Sequence, residues 1–235
     1  MSVEVLDGIA RLCTQHRLPA ASDRRLLALL EVLERDPLAP TTVRDGRAAL
    51  DVHLADSLVA LRLDEVRTAK RVVDIGAGAG FPGLPLAIAL PHAQIALLES
   101  ISRKCTFLEV ARRAAEVSNA RVVRDRAETW TDGLRIHDLV TARALAAPAT
   151  VLEYAAPLLS LGGSLVDWRG SPDEIADRSA AAAAGELGME LVAVHKVQPF
   201  SAAREHRLCV YRKVAETPAA FPRRPGVARK RPLGG

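Results

Sequence analysis

The spacing of apolar residues divides the chain into a helical first part and an alternating second part. Before residue 70, leucines and alanines recur with the three-to-four-residue period of amphipathic helices. After it, short apolar runs alternate with further helical stretches, which is typical of repeated βα units. The predicted helices are residues 5–13, 22–33, 46–61, 102–117, 147–159 and 173–187. The predicted strands are a run ending at 73–74 and residues 94–98, 121–123, 137–143, 163–168, 191–197 and 206–211.

The order of these elements predicts an α/β fold. Repeated strand–helix units form an open, mostly parallel sheet with right-handed crossovers. The last two of the seven predicted strands are expected to form an antiparallel pair at one edge. We expect three segments: helices over residues 1–66 packed on the core, the sheet domain over residues 67–215, and a tail over residues 216–235. Ser22 is expected to cap the second helix.

The loop after the first strand carries the strongest chemical signal. Glycine tolerates positive φ and close approach by a ligand, and the N-terminus of a following helix attracts anions. The string GAGFPG matches the dinucleotide fingerprint. The string DIGAGAG, in which Asp74 precedes Gly76, Gly78 and Gly80, equally matches the loop of S-adenosylmethionine methyltransferases, with Asp74 near the amino-acid end of the ligand. The loop therefore predicts a nucleotide-containing ligand and leaves two ligand classes open.

Further polar residues follow the carboxyl ends of predicted strands, where such sheets bind ligands. Glu99 follows the second strand, at a position where a carboxylate accepts ribose hydroxyls in both ligand classes. Glu128 follows the third strand, near the expected place of an adenine, and Arg143 ends the fourth. On the helix over residues 46–61, His53 and Asp56 share a face. This pair either joins the helix to the core or contacts the substrate.

Composition limits the class of protein. The chain has 235 residues and is 49% hydrophobic but only 3% aromatic, so its core must be built from Ala, Leu and Val. Its three cysteines form no C-x-x-C pair, which favours a reducing compartment over a disulfide framework. No apolar run reaches about 18 residues. We therefore expect a cytoplasmic protein that does not span a membrane and holds no metal.

The net charge of +4 lies in the tail, since residues 216–235 hold five basic side chains and one acidic one. This distribution predicts an electrostatic contact with a polyanion, in which Arg223 and Arg224 take part. Two alternatives remain. The tail is a solvated end, or it folds back over the active site with Phe221 and Leu233 docked.

Several strings resemble one known family in register with the glycine loop. They are GAGFPGLPLAIA, LLESISRKCTFLEVA, RAE at residues 126–128, TARALA at 141–146, LLSLGGSLVDWRG at 158–170 and HLADSL at 53–58. Together with the basic, proline-rich terminus they resemble the bacterial 16S rRNA (guanine-N7)-methyltransferases, also called glucose-inhibited division protein B. The resemblance covers roughly residues 40–235. It implies a Rossmann-like class I methyltransferase with a seven-stranded sheet, S-adenosylmethionine as cofactor, and 16S rRNA or the small ribosomal subunit as partner of a monomeric enzyme.

The resemblance also implies roles for individual residues. Gly76, Gly78 and Phe81 would line the cofactor pocket, and Glu99 would hold the ribose. Ala127 and Glu128 would approach the adenine, and Arg143 would close the site near the methyl group as the catalytic candidate. The residues expected to contact RNA are His53, Asp56, Arg169, Arg223 and Arg224.

The sequence departs from the family pattern at two of the positions expected near RNA. Val52 stands where the family commonly has Arg, and Arg169 stands where it has Lys. The chain has no Asn/Asp-Pro-Pro-aromatic motif, which argues against methylation of an exocyclic amine. Two alternatives are a methyltransferase of another RNA or a small molecule, and a nucleotide-binding protein that contacts RNA without catalysis.

Overall fold

A single seven-stranded sheet organises the protein. The computed structural model describes residues 1–234, and the strand order is β3-β2-β1-β4-β5-β7-β6. The strands are β1 Arg71–Ile75, β2 Gln94–Leu98, β3 Ala120–Val123, β4 His137–Arg143, β5 Leu159–Arg169, β6 Met189–Val197 and β7 His206–Lys213. The first five strands pair in parallel, and β7 pairs antiparallel with both β5 and β6. The predicted mostly parallel sheet with an antiparallel pair at one edge is confirmed.

Helices cover both faces of this sheet. They are α1 Val3–His16, α2 Ser22–Arg35, α3 Gly46–Ala49, α4 Asp56–Leu58, α5 Asp64–Arg67, α6 Gly83–Ala89, α7 Ser102–Ala114, α8 Pro148–Ala155, α9 Glu174–Leu187 and α10 Val227–Lys230. Within residues 1–234, no helix is long and apolar enough to cross a bilayer.

The strands alternate between two apolar cores. Val72 and Leu97 belong to the core beneath the N-terminal helices, whereas Val73 and Leu98 belong to the core beneath α8 and α9. Because side chains of a strand point to opposite faces in turn, a strand that is buried on both faces is a continuous apolar run. The chain crosses from one half of the sheet to the other between β1 and β4, which is the point where such sheets bind ligands.

The helical stretch over residues 46–62 is continuous but not uniform. Between α3 and α4 lies a π-helical segment, Leu50–Ala55, and a 3₁₀ turn, Val59–Arg62, completes the stretch. The extent predicted from the apolar pattern agrees with this stretch within a residue. The π segment was not predicted, because the apolar period records which face is buried and not the hydrogen-bond partner.

Three details of the sequence-based prediction are wrong. The residue before α2 is Ala21 in a left-handed conformation, and the Ser22 side chain makes no capping hydrogen bond because Ser22 is itself the first, buried helical residue. Helix α7 ends at Ala114, three residues early. Helix α8 is also shorter than expected, since β5 already begins at Leu159 and shifts its register against β4.

Candidate active site

The buried carboxylate of Asp74 holds the glycine loop to the sheet. Its Oδ2 accepts a hydrogen bond of 3.0 Å from the backbone N–H of Gly83, and its Oδ1 accepts one of 3.0 Å from the Thr141 hydroxyl on β4. Burial raises the pKa of Asp74 to about 7, against the opposing effect of these hydrogen bonds. Asp74 lines neither of the two cavities described below. The geometry therefore favours a loop-positioning role over the predicted contact with the ligand.

This buried carboxyl group predicts a pH-dependent stability. Between an unfolded pKa near 3.8 and a folded pKa of about 7, the folded protein retains a proton that the unfolded chain releases. The stability from this group is therefore present at low pH and is lost as the pH rises through about 7. Asp74→Asn does not titrate, so its Tm relative to wild type should increase from about pH 5 to about pH 8, by about 3 °C or more in a chain of this size. A difference in Tm between the two proteins that stays constant from pH 5 to pH 8 would contradict the expectation.

Gly76 and Gly80 have different positions in the loop. Gly76 has a φ of +70°, and an added Cβ would lie 2.5 Å from Leu145 Cδ1, so any side chain there would be strained and would clash. Gly76 lines both cavities. Gly80 has a φ of +92° and lies against Leu84 and Leu108 in the core. Gly80 thus packs the loop onto its helix, and the structure does not bring it to a cavity wall.

The first cavity lies at the ends of β1, β2 and β3 and is called here the Glu99 cavity. Its volume is about 420 Å³, within the usual range for small-ligand sites. It is lined by Ile75, Gly76, Leu98, Glu99, Ser100, Ile101, Lys104, Asp125, Arg126, Ala127, Glu128, Ala144, Leu145, Tyr154 and Arg229. The predicted cofactor residues Gly76, Glu99, Ala127 and Glu128 therefore share one cavity.

The carboxylate of Glu99 is fixed by the backbone around it. Its Oε2 accepts from Gly78 N at 3.2 Å and its Oε1 accepts from Ile101 N at 2.8 Å. Lys104 Nζ lies 3.9 Å from Oε2. Each carboxylate oxygen has a second lone pair, so both remain able to accept hydroxyl hydrogens. A fixed double acceptor beside a glycine loop fits the ribose of an adenosine-containing ligand.

A second cavity, called here the Arg143 cavity, adjoins the first. Its volume is about 450 Å³. It is lined by Pro40, Thr41, Thr42, Val43, Val52, His53, Asp56, Gly76, Ala77, Gly78, Ala79, Phe81, Lys104, Arg143, Ala144, Phe200 and His206. Gly76, Lys104 and Ala144 line both cavities. A group bound in one cavity can therefore approach a group bound in the other across the start of the glycine loop.

Three groups from one helical stretch orient Arg143. Its Nη1 donates to the Val52 carbonyl and to Asp56 Oδ2, both at 2.8 Å, and its Nη2 donates to His53 Nδ1 at 3.3 Å. The guanidinium carbon lies 6.0 Å from the centre of the Phe81 ring. A guanidinium carries five N–H groups, so two of them have no acceptor among residues 1–234 and are free for a further one. Both of the predicted roles of His53 and Asp56 are compatible with this arrangement, because the residues join the helix to β4 and also line the cavity.

His53 is held neutral in one tautomer. Burial and then the charge of Arg143 lower the pKa of His53 to about 4. Because Arg143 can only donate, Nδ1 accepts, and the proton on Nε2 faces the Val43 carbonyl at 3.1 Å. The imidazole also stacks on Phe81 with ring centres 4.6 Å apart. Both nitrogens have protein partners, which disfavours His53 as a general base.

His206 is a cavity residue that sequence reasoning missed. Its Nδ1 lies 3.2 Å from Asp56 Oδ1, and the Asp56 carbonyl accepts a hydrogen bond from Trp168 Nε1 at 2.8 Å. The position of His206 at the start of the last predicted strand could have indicated this. Since β7 runs antiparallel to β5, the first residue of β7 lies at the carboxyl edge of its parallel neighbours, where ligands bind.

Two of the arginines predicted to contact RNA have hydrogen-bond partners within the protein. Arg169 Nε donates to Asp167 Oδ2 at 2.6 Å and its Nη1 donates to the Ala146 carbonyl at 2.9 Å, so two of its three nitrogens are bonded within the protein. Arg223 forms a two-pronged ion pair with Glu153, a residue only 1% exposed. Charge alone does not reveal whether an arginine faces solvent or a buried carboxylate. Arg224 is exposed, and its contact with RNA stays a prediction.

The strand order, the glycine loop after β1 and the acidic residue after β2 together define a class I S-adenosylmethionine-dependent methyltransferase. The rRNA small subunit methyltransferase G family matches residues 38–206, and the chain belongs to this family. The family, enzyme class and cofactor predicted from the sequence are thereby confirmed.

Individual relatives agree with this assignment. The chain is 39% identical over 203 residues to ribosomal RNA small subunit methyltransferase G of Synechococcus sp., covering 83% of this chain and 78% of the relative. It is 36% identical over 207 residues to the protein of the same name from Carboxydothermus hydrogenoformans, covering 87% and 88%. A solved S-adenosylmethionine-dependent O-methyltransferase from Thermotoga maritima shares the fold, with a TM-score of 0.53, 19% identity, and coverage of 69% and 66%.

Proposed function

We propose that this protein transfers the methyl group of S-adenosylmethionine to N7 of a guanosine in 16S rRNA. The observation that carries the proposal is the position of Arg143. The guanidinium is fixed in the cavity that adjoins the Glu99 cavity, and two of its N–H groups are left free. The names of the relatives support a small-subunit rRNA acceptor.

The acid–base character of the Arg143 cavity supports N7 as the acceptor atom. Guanine N7 has a free lone pair and carries no proton, so its methylation requires no general base. His53 is neutral, and both of its nitrogens are engaged by the protein. S-adenosylmethionine supplies an electrophilic methyl group on sulfonium. The contribution of the chain is therefore positioning, which accounts for up to roughly 7–11 kcal/mol of barrier lowering in favourable cases.

Each part of the proposed site has a role in this positioning. Glu99 accepts hydrogen bonds from the ribose, and the Arg143 cavity holds the guanine. The free N–H groups of Arg143 donate to guanine O6, adjacent to N7 in the major-groove edge of the base. Phe81, stacked on His53, limits the position of the guanidinium. All of these groups belong to one chain, so one subunit suffices to form the proposed site, and we propose that the enzyme acts on ribosomal RNA as a monomer in the cytoplasm.

A methyl-transfer assay with defined acceptors tests the function. Methyl-labelled S-adenosylmethionine is incubated with the protein and with naked 16S rRNA, intact small subunits, large subunits or no RNA, the ribosomal material coming from cells that lack this methyltransferase. We expect label only with small-subunit material, at a single guanosine that is cleaved after borohydride reduction and aniline treatment. Label on another atom, on large-subunit RNA, or on no RNA would contradict the proposal.

A further inference from the structure

The basic tail is a docked part of the fold. The Ala228 carbonyl in α10 accepts a hydrogen bond from Thr150 Oγ1 at 3.1 Å, and the Leu233 carbonyl accepts one from Ser179 Oγ at 2.8 Å. Ala228 is 1% exposed. Of the alternatives left open by the sequence, the structure therefore shows the tail folded back, against α8 and α9.

A buried ion pair anchors this docking. Glu153 on α8 is 1% exposed, and the Arg223 guanidinium neutralises it through two hydrogen bonds. The same guanidinium donates to the Arg231 carbonyl at 2.9 Å, which closes the tail into a loop around α10. A buried carboxylate is strongly destabilising without its partner. The ion pair with buried Glu153 and the hydrogen bond to Arg231 thus fix the position of residues 223–231 on α8.

The docked tail meets the Glu99 cavity at two of its walls. The backbone N–H of Gly226 donates to Glu128 Oε1 at 3.0 Å, and Arg229 Nη2 donates to the Leu145 carbonyl at 3.0 Å. Glu128 and Leu145 both line the cavity, and so does Arg229 itself. A segment that is distant in sequence from the glycine loop therefore completes the wall at the end where Glu128 lies.

We propose that Arg229 is a cofactor-binding residue and that its guanidinium plane contacts the adenosine portion of S-adenosylmethionine. This rests on the proposed function only in that the ligand of the Glu99 cavity is S-adenosylmethionine. Guanidinium planes stack on flat rings and donate hydrogen bonds at their edges, and one edge of Arg229 is already committed to Leu145. The carboxylate of Glu128 is fixed by Gly226 beside it, so the tail orients both residues toward one portion of the ligand.

Calorimetry with two ligands tests this assignment without RNA. The ligands are S-adenosylhomocysteine and 5′-methylthioadenosine, which share the adenosine and differ in the amino-acid portion. Losing a cation–π contact made by an exposed arginine corresponds to about a two- to fivefold change in Kd. We expect Arg229→Ala to raise Kd by this amount for both ligands. Arg231→Ala is the matched control, since its side chain is exposed and lines no part of the cavity, and it should leave both Kd values unchanged.

Three outcomes would overturn the assignment. The first is that Arg229→Ala does not differ from wild type in Kd for either ligand. The second is that it weakens the binding of S-adenosylhomocysteine only. The third is that Arg231→Ala weakens the binding of both ligands as much as Arg229→Ala does. The third outcome would show that the loss of a positive charge, and not the loss of a contact with Arg229, weakens binding. These outcomes are distinguishable from failure of the proposed function, because they concern cofactor affinity alone and the proposed function fails through the identity of the methylated atom.

Discussion

Replacing Arg143 by alanine is expected to lower kcat/KM for methyl transfer to RNA by about 100-fold. Hydrogen bonds to a charged group contribute roughly 1.5–3 kcal/mol, and about 1.4 kcal/mol corresponds to a factor of ten. The substitution removes the two free N–H groups proposed to face the acceptor, and it also removes the ion pair of 2.8 Å with the buried Asp56. Initial rates of label transfer at several RNA concentrations measure the effect and separate kcat from KM.

Two variants give this experiment its controls. Arg143→Lys keeps the charge but lacks the planar fork, so its rate should fall between those of wild type and Arg143→Ala. Arg212→Ala removes an arginine of β7 that pairs with Glu65 at 3.3 Å and lines neither cavity, and its rate should match wild type. If Arg143→Ala were as active as Arg212→Ala, Arg143 would be only a structural link between β4 and the helical stretch 46–62.

Replacing Glu99 by alanine is expected to raise the Kd of S-adenosylmethionine by about ten- to a hundredfold. The hydrogen bonding of the ribose to this carboxylate is expected to contribute roughly 1.5–3 kcal/mol in total, which corresponds to that change in Kd. The same carboxylate also accepts from Gly78 N and Ile101 N, so the substitution further loosens the start of the glycine loop. Calorimetric titration with S-adenosylmethionine gives the Kd, and thermal melting of the free protein reports any loss of folding.

The matched control for this prediction is Glu109→Ala. Glu109 lies on α7, pairs with Arg112 at 2.9 Å, and lines neither cavity. Its substitution should leave the Kd unchanged. Glu99→Gln retains the size of the side chain but leaves only one oxygen as an acceptor, so its Kd should be intermediate. An unchanged Kd in Glu99→Ala would assign the residue to the loop alone.

The sheet and the Glu99 cavity were predictable because their determinants are local in sequence. A strand such as β2 is an apolar run with polar ends, and its observed bounds, Gln94–Leu98, match the predicted ones. Parallel strands bring their carboxyl ends to one edge, so Glu99, Ala127 and Glu128 converge without any knowledge of side-chain contacts. The glycines then mark where the backbone bends toward this edge.

The remaining features depend on pairings that no local pattern records. Arg223 and Glu153 are 70 residues apart, and only the fold shows that the acid is buried at α8 and the arginine reaches it. The tail was therefore predicted to contact RNA through Arg223 and Arg224, although Glu153 already neutralises the charge of Arg223. Arg169 was assigned to RNA through the family resemblance, and that resemblance does not record that Asp167, two residues earlier on β5, accepts a hydrogen bond from its guanidinium.

The π-helical segment Leu50–Ala55 limits how the chain can vary in length at this point. Its hydrogen bonds join residues five apart, so loss of one residue would convert the turn into ordinary α-helix and leave the stretch over residues 46–62 folded. Deleting Leu54 or Ala55, however, would bring His53 and Asp56 to positions two apart, which face different sides of a helix. The guanidinium of Arg143 would then lose one of its partners. A single-codon deletion here should therefore yield a protein that folds and binds its cofactor but methylates RNA more slowly than wild type.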